Sequence, residues 1–137
     1  MQGALVVLVV VLHAVASAWH GRAHEQLAVA LTPAQTAFVY IVILAAPIVG
    51  ATLMWTRFAR AGLWTVFLSM LGAFLFGVYY HYVAVSPDHV AHLPAGPDTA
   101  HAAFVRSAAT IAVLECAGTL LAAFRLFALP RAVSARS

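Results

Sequence analysis

Four long apolar stretches constrain this chain more than any other feature. They run from about Gly3 to His20, Pro33 to Trp55, Gly62 to Val85 and Ala102 to Leu129. A helix needs roughly 20 apolar residues to cross a bilayer core, and inside that core its backbone polar groups must be paired within the segment. The sequence therefore predicts an all-α integral membrane protein that forms one domain, a bundle of four transmembrane helices.

The composition supports the lipid bilayer as the main partner and excludes nucleic acid. Of the 137 residues, 64% are hydrophobic and only 8% are charged, whereas soluble domains carry about 25% charged residues. The net charge of +3 comes from arginines without lysine. These arginines lie almost wholly between or beyond the apolar stretches, and they form no basic stripe with interleaved aromatic residues, which nucleic-acid binding would need.

Local signals mark helix boundaries and helix contacts. Thr32 followed by Pro33 is typical of an N-cap and a first-turn proline, and Asp98 is predicted to cap the fourth helix. Pro47 should kink the second helix. Small residues at a spacing of four predict close helix approach; they are Ser69, Ala73 and Gly77 on the third helix, and Ala46 and Gly50 on the second.

The first apolar stretch also resembles a secretory signal, because Ala16-Ser17-Ala18 is similar to a signal-peptidase site. The residues before the stretch carry no lysine or arginine. We therefore expect a retained transmembrane helix, with a cleaved signal peptide as the alternative.

The arginines predict the orientation. Two of them, Arg22 and Arg106, lie on the side where the first and third helices end. The arginines on the opposite side are Arg57, Arg60, Arg125, Arg131 and Arg136. The positive-inside rule then predicts that both termini and the tail 130–137 are cytoplasmic and that the loop 86–101 is extracytoplasmic. We expect a bacterial or archaeal cytoplasmic membrane, with the histidine-rich face outward.

Six histidines gather on the predicted outer side. They are His20, His24, His81, His89, His92 and His101. Histidines at i and i+4, such as His20 and His24, can present two imidazoles from one helix to a single metal ion. Imidazole with carboxylate suits zinc or copper(II), whereas the methionines and Cys116 lie elsewhere. The sequence therefore predicts a transition-metal site, copper or zinc, at this face.

Two other interpretations of the histidines stay open. A haem is held by axial histidines from facing helices, and a chlorophyll-type tetrapyrrole needs just one; His13 or His20 opposite His81 would supply them. Alternatively, the chain is an accessory or structural subunit of a larger membrane redox complex, or a homo-oligomer, in which the histidines are interface residues.

Glu115 lies deep in the fourth apolar stretch, where an ionisable side chain is costly and suggests function. His13 reaches a similar depth in the first stretch. The pair is predicted to form either a proton relay or an interhelical hydrogen bond.

Motifs of self-contained enzymes are missing from the sequence. We find no nucleophile elbow, no phosphate-binding glycine loop and no HExxH. A single cysteine also rules out an internal disulfide and a CxxC redox site. The sequence thus favours a binding protein or a subunit over an enzyme that acts as an isolated chain.

Overall fold

The computed structural model describes residues 2–127 and contains four long helices. They are α1 (Gln2–Gln26), α2 (Pro33–Leu53), α3 (Ala59–Val83) and α4 (Asp98–Phe127). Each is long and apolar enough to cross a membrane, and residues 2–127 contain no strand. The predicted all-helical architecture is confirmed for these residues. The predicted tail 130–137 lies outside them.

The structure confirms the predicted cap of α2 and shifts the predicted cap of α4 by one residue. At α2, the Thr32 hydroxyl accepts a hydrogen bond from the Gln35 N–H, and the Gln35 side chain accepts one from the Thr32 N–H. This reciprocal capping box confirms Thr32 as the N-cap. At α4 the predicted cap at Asp98 is wrong by one residue: Pro97 takes the capping position, because its carbonyl accepts from the N–H groups of Ala100 and His101. Asp98 lies in the first turn.

A π-helical segment lies just before Pro47 in α2. Residues Val39–Ala45 form a π-helical segment, and the Ala46 N–H donates to the Ile41 carbonyl five residues earlier. A proline cannot donate a backbone hydrogen bond, and its ring displaces the carbonyl of the preceding turn. The π segment accommodates this disruption within a continuous helix.

At the end of the bundle where α2 ends and α3 begins, the helices pack closely around an apolar core. The buried residues of this core are Val6, Val10, Ala51, Val66, Met70 and Ala122. A Cβ placed on Gly50 would lie 2.8 Å from the Gly62 carbonyl oxygen. The glycines therefore allow the backbones of α2 and α3 to touch, which agrees with the predicted role of Gly50.

A second, smaller core closes the opposite end. It contains Ala23 in the last turns of α1 and Leu27 and Val29 just after that helix. Ala100 and Phe104 contribute from the start of α4. The loop between α3 and α4 packs onto it through two half-buried residues, Val90 and Leu93. This loop therefore folds back over the ends of α1 and α4.

Candidate metal centre

Four side chains from three parts of the chain converge beneath this second core. One potential ligand atom from each of His20, His24, His81 and Asp88 lies within 4.8 Å of all the others. His20 and Asp88 are buried, at 8% and 5% exposure. We refer to these four residues as the histidine cluster. Three imidazoles and one carboxylate form a donor set that can hold a metal ion.

The end of α1 presents two of the four ligands. The helix continues beyond His20 to Gln26, so His20 and His24 occupy one face, one turn apart. It ends when the Val29 N–H donates to the His24 carbonyl and the Ala28 N–H donates to the Glu25 carbonyl. Ala28 adopts a left-handed conformation there, with φ of 50°. This helix ending has the hydrogen bonds of a Schellman motif.

The end of α3 and the loop after it supply the other two ligands, His81 and Asp88. His81 lies in a second π-helical segment, Tyr79–Val83, a local widening that is frequent at functional sites because it changes the direction of side chains. The following loop folds back so that the Val90 N–H donates to the His81 carbonyl at 3.0 Å. This turn places Asp88 beside His81.

The Nδ1 atom of each histidine in the cluster has a hydrogen-bond acceptor in the protein. The His81 Nδ1–H donates to the Asp88 backbone carbonyl at 3.0 Å, and the His24 Nδ1–H donates to the Val29 carbonyl at 3.4 Å. His20 Nδ1 lies 2.9 Å from Ser107 Oγ. Because the Ser107 hydroxyl donates to the Ala103 carbonyl at 2.7 Å, it accepts from His20. In neutral imidazoles this arrangement leaves the lone pair on Nε2.

The unprotonated Nε2 atoms then face one another. His20 Nε2 and His24 Nε2 are 3.1 Å apart, and His24 Nε2 is 3.1 Å from Asp88 Oδ1. Two lone pairs at this distance repel unless a proton or a metal ion lies between them. Ligands about 2.0–2.1 Å from a tetrahedral zinc ion are separated by about 3.3 Å. The two distances from His24 Nε2 are close to this separation, and the four potential ligand atoms together lie within 4.8 Å of one another.

Asp88 supplies the negative charge of the cluster. Burial alone would raise the pKa of its carboxyl, but the adjacent His24 and His81 side chains outweigh burial, and the pKa lies well below its usual range. Oδ1 is 3.3 Å from His81 Nδ1. It forms no hydrogen bond of good geometry with any described residue. Asp88 is thus an ionised oxygen donor with a free lone pair.

Phe104 of α4 forms an apolar wall beside the cluster. Its side chain is fully buried, and its ring centroid lies 4.6 Å from that of His20 and 4.9 Å from that of His24. An apolar wall limits access of water and strengthens electrostatic interactions inside the site.

The other three predicted histidines lie outside the cluster. The His89 and His92 rings contact each other, with centroids 4.8 Å apart, and His92 is exposed. The His101 Nε2–H donates to the Pro94 carbonyl at 2.8 Å. These contacts hold the loop and its junction with α4. Of the six predicted histidines, three therefore meet in the cluster and three lie apart from it.

Glu115 and His13 meet in the interior of the bundle. His13 Nε2 lies 3.2 Å from Glu115 Oε1, and both residues are 1% exposed. The contact joins α1 to α4, which is the geometry expected for either an interhelical hydrogen bond or one step of a proton relay. Glu115 Oε2 has no hydrogen-bond partner among the described residues.

A cavity of about 480 Å³ adjoins the cluster. His20, His24, His81 and Asp88 line it at one end, and Glu115 also lines it. Most of its remaining wall is apolar, with side chains such as Ile43 and Phe76. The candidate metal centre therefore opens onto a mostly apolar space of the size that small-molecule sites have.

Sequence reasoning identified the three histidines of the cluster but missed two of its components. Asp88 was not included among the ligands, although it is one of only four acidic residues and follows His81 by seven positions. The hydrogen bond from His20 to Ser107 was not predicted either. No spacing rule links residues 20 and 107, so only the packing of α1 against α4 brings them together.

Comparison with known proteins gives no match: no family model fits the chain, and neither a curated protein nor a solved structure is significantly similar to it. Arguments about function therefore depend on the geometry of the site.

Proposed function

We propose that the protein binds one divalent transition-metal ion in the histidine cluster, with zinc as the first candidate and copper(II) as the second. The facing Nε2 atoms of His20 and His24, 3.1 Å apart, carry this proposal. When both imidazoles are neutral and both Nδ1 atoms donate to protein acceptors, neither Nε2 atom has a proton to share. A bound cation would turn this repulsion into coordination.

The donor set favours zinc over other metals. Zinc accepts nitrogen and oxygen ligands without a geometric preference of its own, whereas copper(II) favours a square-planar arrangement. Four ligand atoms within 4.8 Å of one another are compatible with a four-coordinate ion. Copper(I) would favour sulfur ligands, and none of the four residues supplies sulfur.

A metal ion explains the cluster better than a tetrapyrrole does. The ring centroids of His20 and His81 are 4.8 Å apart, so these rings are in contact and leave no room for a flat macrocycle between them. Axial ligation needs the two histidines on opposite faces of the ring system.

We further propose that the four helices span a cytoplasmic membrane with the cluster at the outer face. The excess of arginines at the opposite end supports this orientation. A metal centre there would serve metal binding, delivery or sensing at the cell exterior, either in this chain alone or as a subunit of a larger assembly.

Zinc titration of the purified protein tests the metal proposal. We expect one zinc ion per chain in equilibrium dialysis with elemental analysis, and the same for copper(II) if the site is not selective. His24→Ala should abolish stoichiometric binding, because it removes the ligand that contacts both His20 and Asp88.

His92→Ala is the matched control, since His92 is an exposed histidine of the loop. It should bind zinc like the unmodified chain. Zinc binding that survives His24→Ala but is lost in His92→Ala would refute the assignment of the cluster and move the site to the loop.

A further inference from the structure

The cavity beside the cluster lies where α1 and α2 are separated. α1 packs mainly against α4, and within α2 it contacts the Ala46–Leu53 part more than the earlier part. The earlier part of α2, which includes the π segment Val39–Ala45, borders the cavity through Val39, Tyr40 and Ile43. The bundle is therefore tight where α2 ends and open between α1 and α2 near the cluster.

Gly77 of α3 lines the cavity next to both Glu115 and the cluster. A Cβ placed on Gly77 would lie 3.7 Å from Glu115 Oε2 and 3.8 Å from His81 Cδ2. A methyl group at this position would thus contact both the carboxyl and the cluster. A larger side chain would occupy the space beside them.

The Glu115 carboxyl brings one unused hydrogen-bonding atom to this space. Oε1 contacts His13, but Oε2 has no partner among residues 2–127. The residue lines the cavity while being only 1% exposed, so it is a buried part of the cavity wall. A buried polar atom without a partner costs free energy, and a ligand that pairs with Oε2 would recover it.

We propose that the cavity binds a neutral amphiphile with a hydroxyl group and a long apolar chain, and that the hydroxyl pairs with Glu115. The apolar chain would lie against Ile43 and Phe76 and leave between α1 and α2. Fatty alcohols, isoprenoid alcohols and phenolic lipids share this chemistry. The inference depends on the cavity and on Glu115, so it goes beyond the proposed metal site and does not require it.

The charges around the cavity select a neutral polar group. A carboxylate ligand would be repelled by the ionised Asp88, and the Glu115 carboxyl offers it no positive charge. An ammonium group would pair with Asp88 and the imidazole lone pairs of the cluster instead of Glu115, and a divalent ion bound there would repel it. A hydroxyl donates or accepts without carrying charge, so it can pair with Glu115 whether or not the cluster holds a metal ion.

Photolabelling tests the proposal on the full chain in phospholipid nanodiscs. The probe is decan-1-ol that carries a diazirine on its chain, and mass spectrometry locates the labelled peptides. We expect saturable labelling of the α2 and α3 segments that contain Tyr40 and Phe76. Decan-1-ol should compete about tenfold better than decane at equal membrane concentration, the value of one buried hydrogen bond. Decanoate and decylamine should also compete less well.

Two valine substitutions on the same helix provide a matched pair. Gly77→Val would fill the space next to Glu115 and His81 and should abolish saturable labelling. At Gly72, a Cβ would contact Val42 and Phe38 at 3.6 and 3.7 Å, away from the cavity, so Gly72→Val should label normally. Circular dichroism and size-exclusion chromatography establish that both variants fold.

Competition by decane as strong as by decan-1-ol would overturn the proposal, as would saturable labelling that persists in folded Gly77→Val. If Gly77→Val does not fold, Glu115→Leu replaces it and should remove the preference for decan-1-ol over decane. The experiment is repeated after chelation of metal, where labelling should remain. A protein that binds no zinc but labels as expected would refute the metal proposal alone.

Discussion

The contact between Gly50 and Gly62 and the histidine cluster lie at opposite ends of the same bundle. At the first, two backbones touch because neither residue has a side chain. At the second, α1 and α2 separate, and polar side chains from α1, α3 and the following loop fill part of the space. Close packing at one end stabilises the bundle, whereas the other end keeps a cavity beside the cluster.

The largest expected effect is at the cluster. Asp88→Ala removes its only carboxylate ligand and should weaken zinc binding by more than about a hundredfold, because loss of partners in the outer shell of a metal site already costs about 10–100-fold. Competition with a chelator during isothermal titration calorimetry measures this. Asp98→Ala changes a carboxylate in the first turn of α4 and should leave the affinity unchanged. Equal losses in both variants would favour a general charge effect over coordination.

The next effect tests how α4 supports the cluster. Ser107→Ala removes the hydroxyl that accepts from His20 Nδ1, and zinc affinity should fall by about 10–100-fold. Ser69→Ala is the control, because Ser69 is also a buried helix serine that donates to a backbone carbonyl. It should not change zinc affinity. An unchanged affinity in Ser107→Ala would show that His20 does not need this hydrogen bond to bind metal.

A mutation at the close-packed end should lower stability and leave zinc affinity unchanged. In Gly62→Ala the new Cβ would lie 2.5 Å from the Gly50 carbonyl oxygen. The two backbones must separate, which should lower the free energy of unfolding by about 1–2 kcal/mol without changing zinc affinity in the folded protein. Unfolding in mixed micelles measures the stability.

Gly21→Ala controls for the substitution itself, because a Cβ at Gly21 meets no atom within 4 Å. It should be neutral or stabilising, since alanine favours helix over glycine. If Gly62→Ala also weakened zinc binding, packing at one end of the bundle would control the cluster at the other end.

The smallest effect concerns the end of α1. Ala28 has a φ of 50°, a conformation that is unfavourable for residues with a Cβ. Ala28→Gly should therefore raise the free energy of unfolding by about 0.5 kcal/mol after the entropy of glycine in the unfolded chain is subtracted. Ala30→Gly, at a residue without positive φ, should lower it. A loss of stability in Ala28→Gly would show that the left-handed backbone of Ala28 is not strained.

The predictions from sequence were most accurate where a signal is local. The capping box at Thr32, the close approach at Gly50 and the four apolar helices all depend on residues near one another in the chain. His20 and His24 could be paired because a helix repeats every 3.6 residues. The π segment at Tyr79–Val83 has no such signal, so the direction of His81 could not be derived.

The sequence by itself determined four helices of transmembrane length, because apolar composition and segment length suffice for that. It also determined that histidines gather at one end. Only the tertiary structure decided which of them meet, because Asp88, His20 and His81 come from separate segments whose side-chain directions depend on helix packing and on a folded loop. The same packing decided that Glu115 pairs with His13 and that Glu115 and the cluster line one cavity.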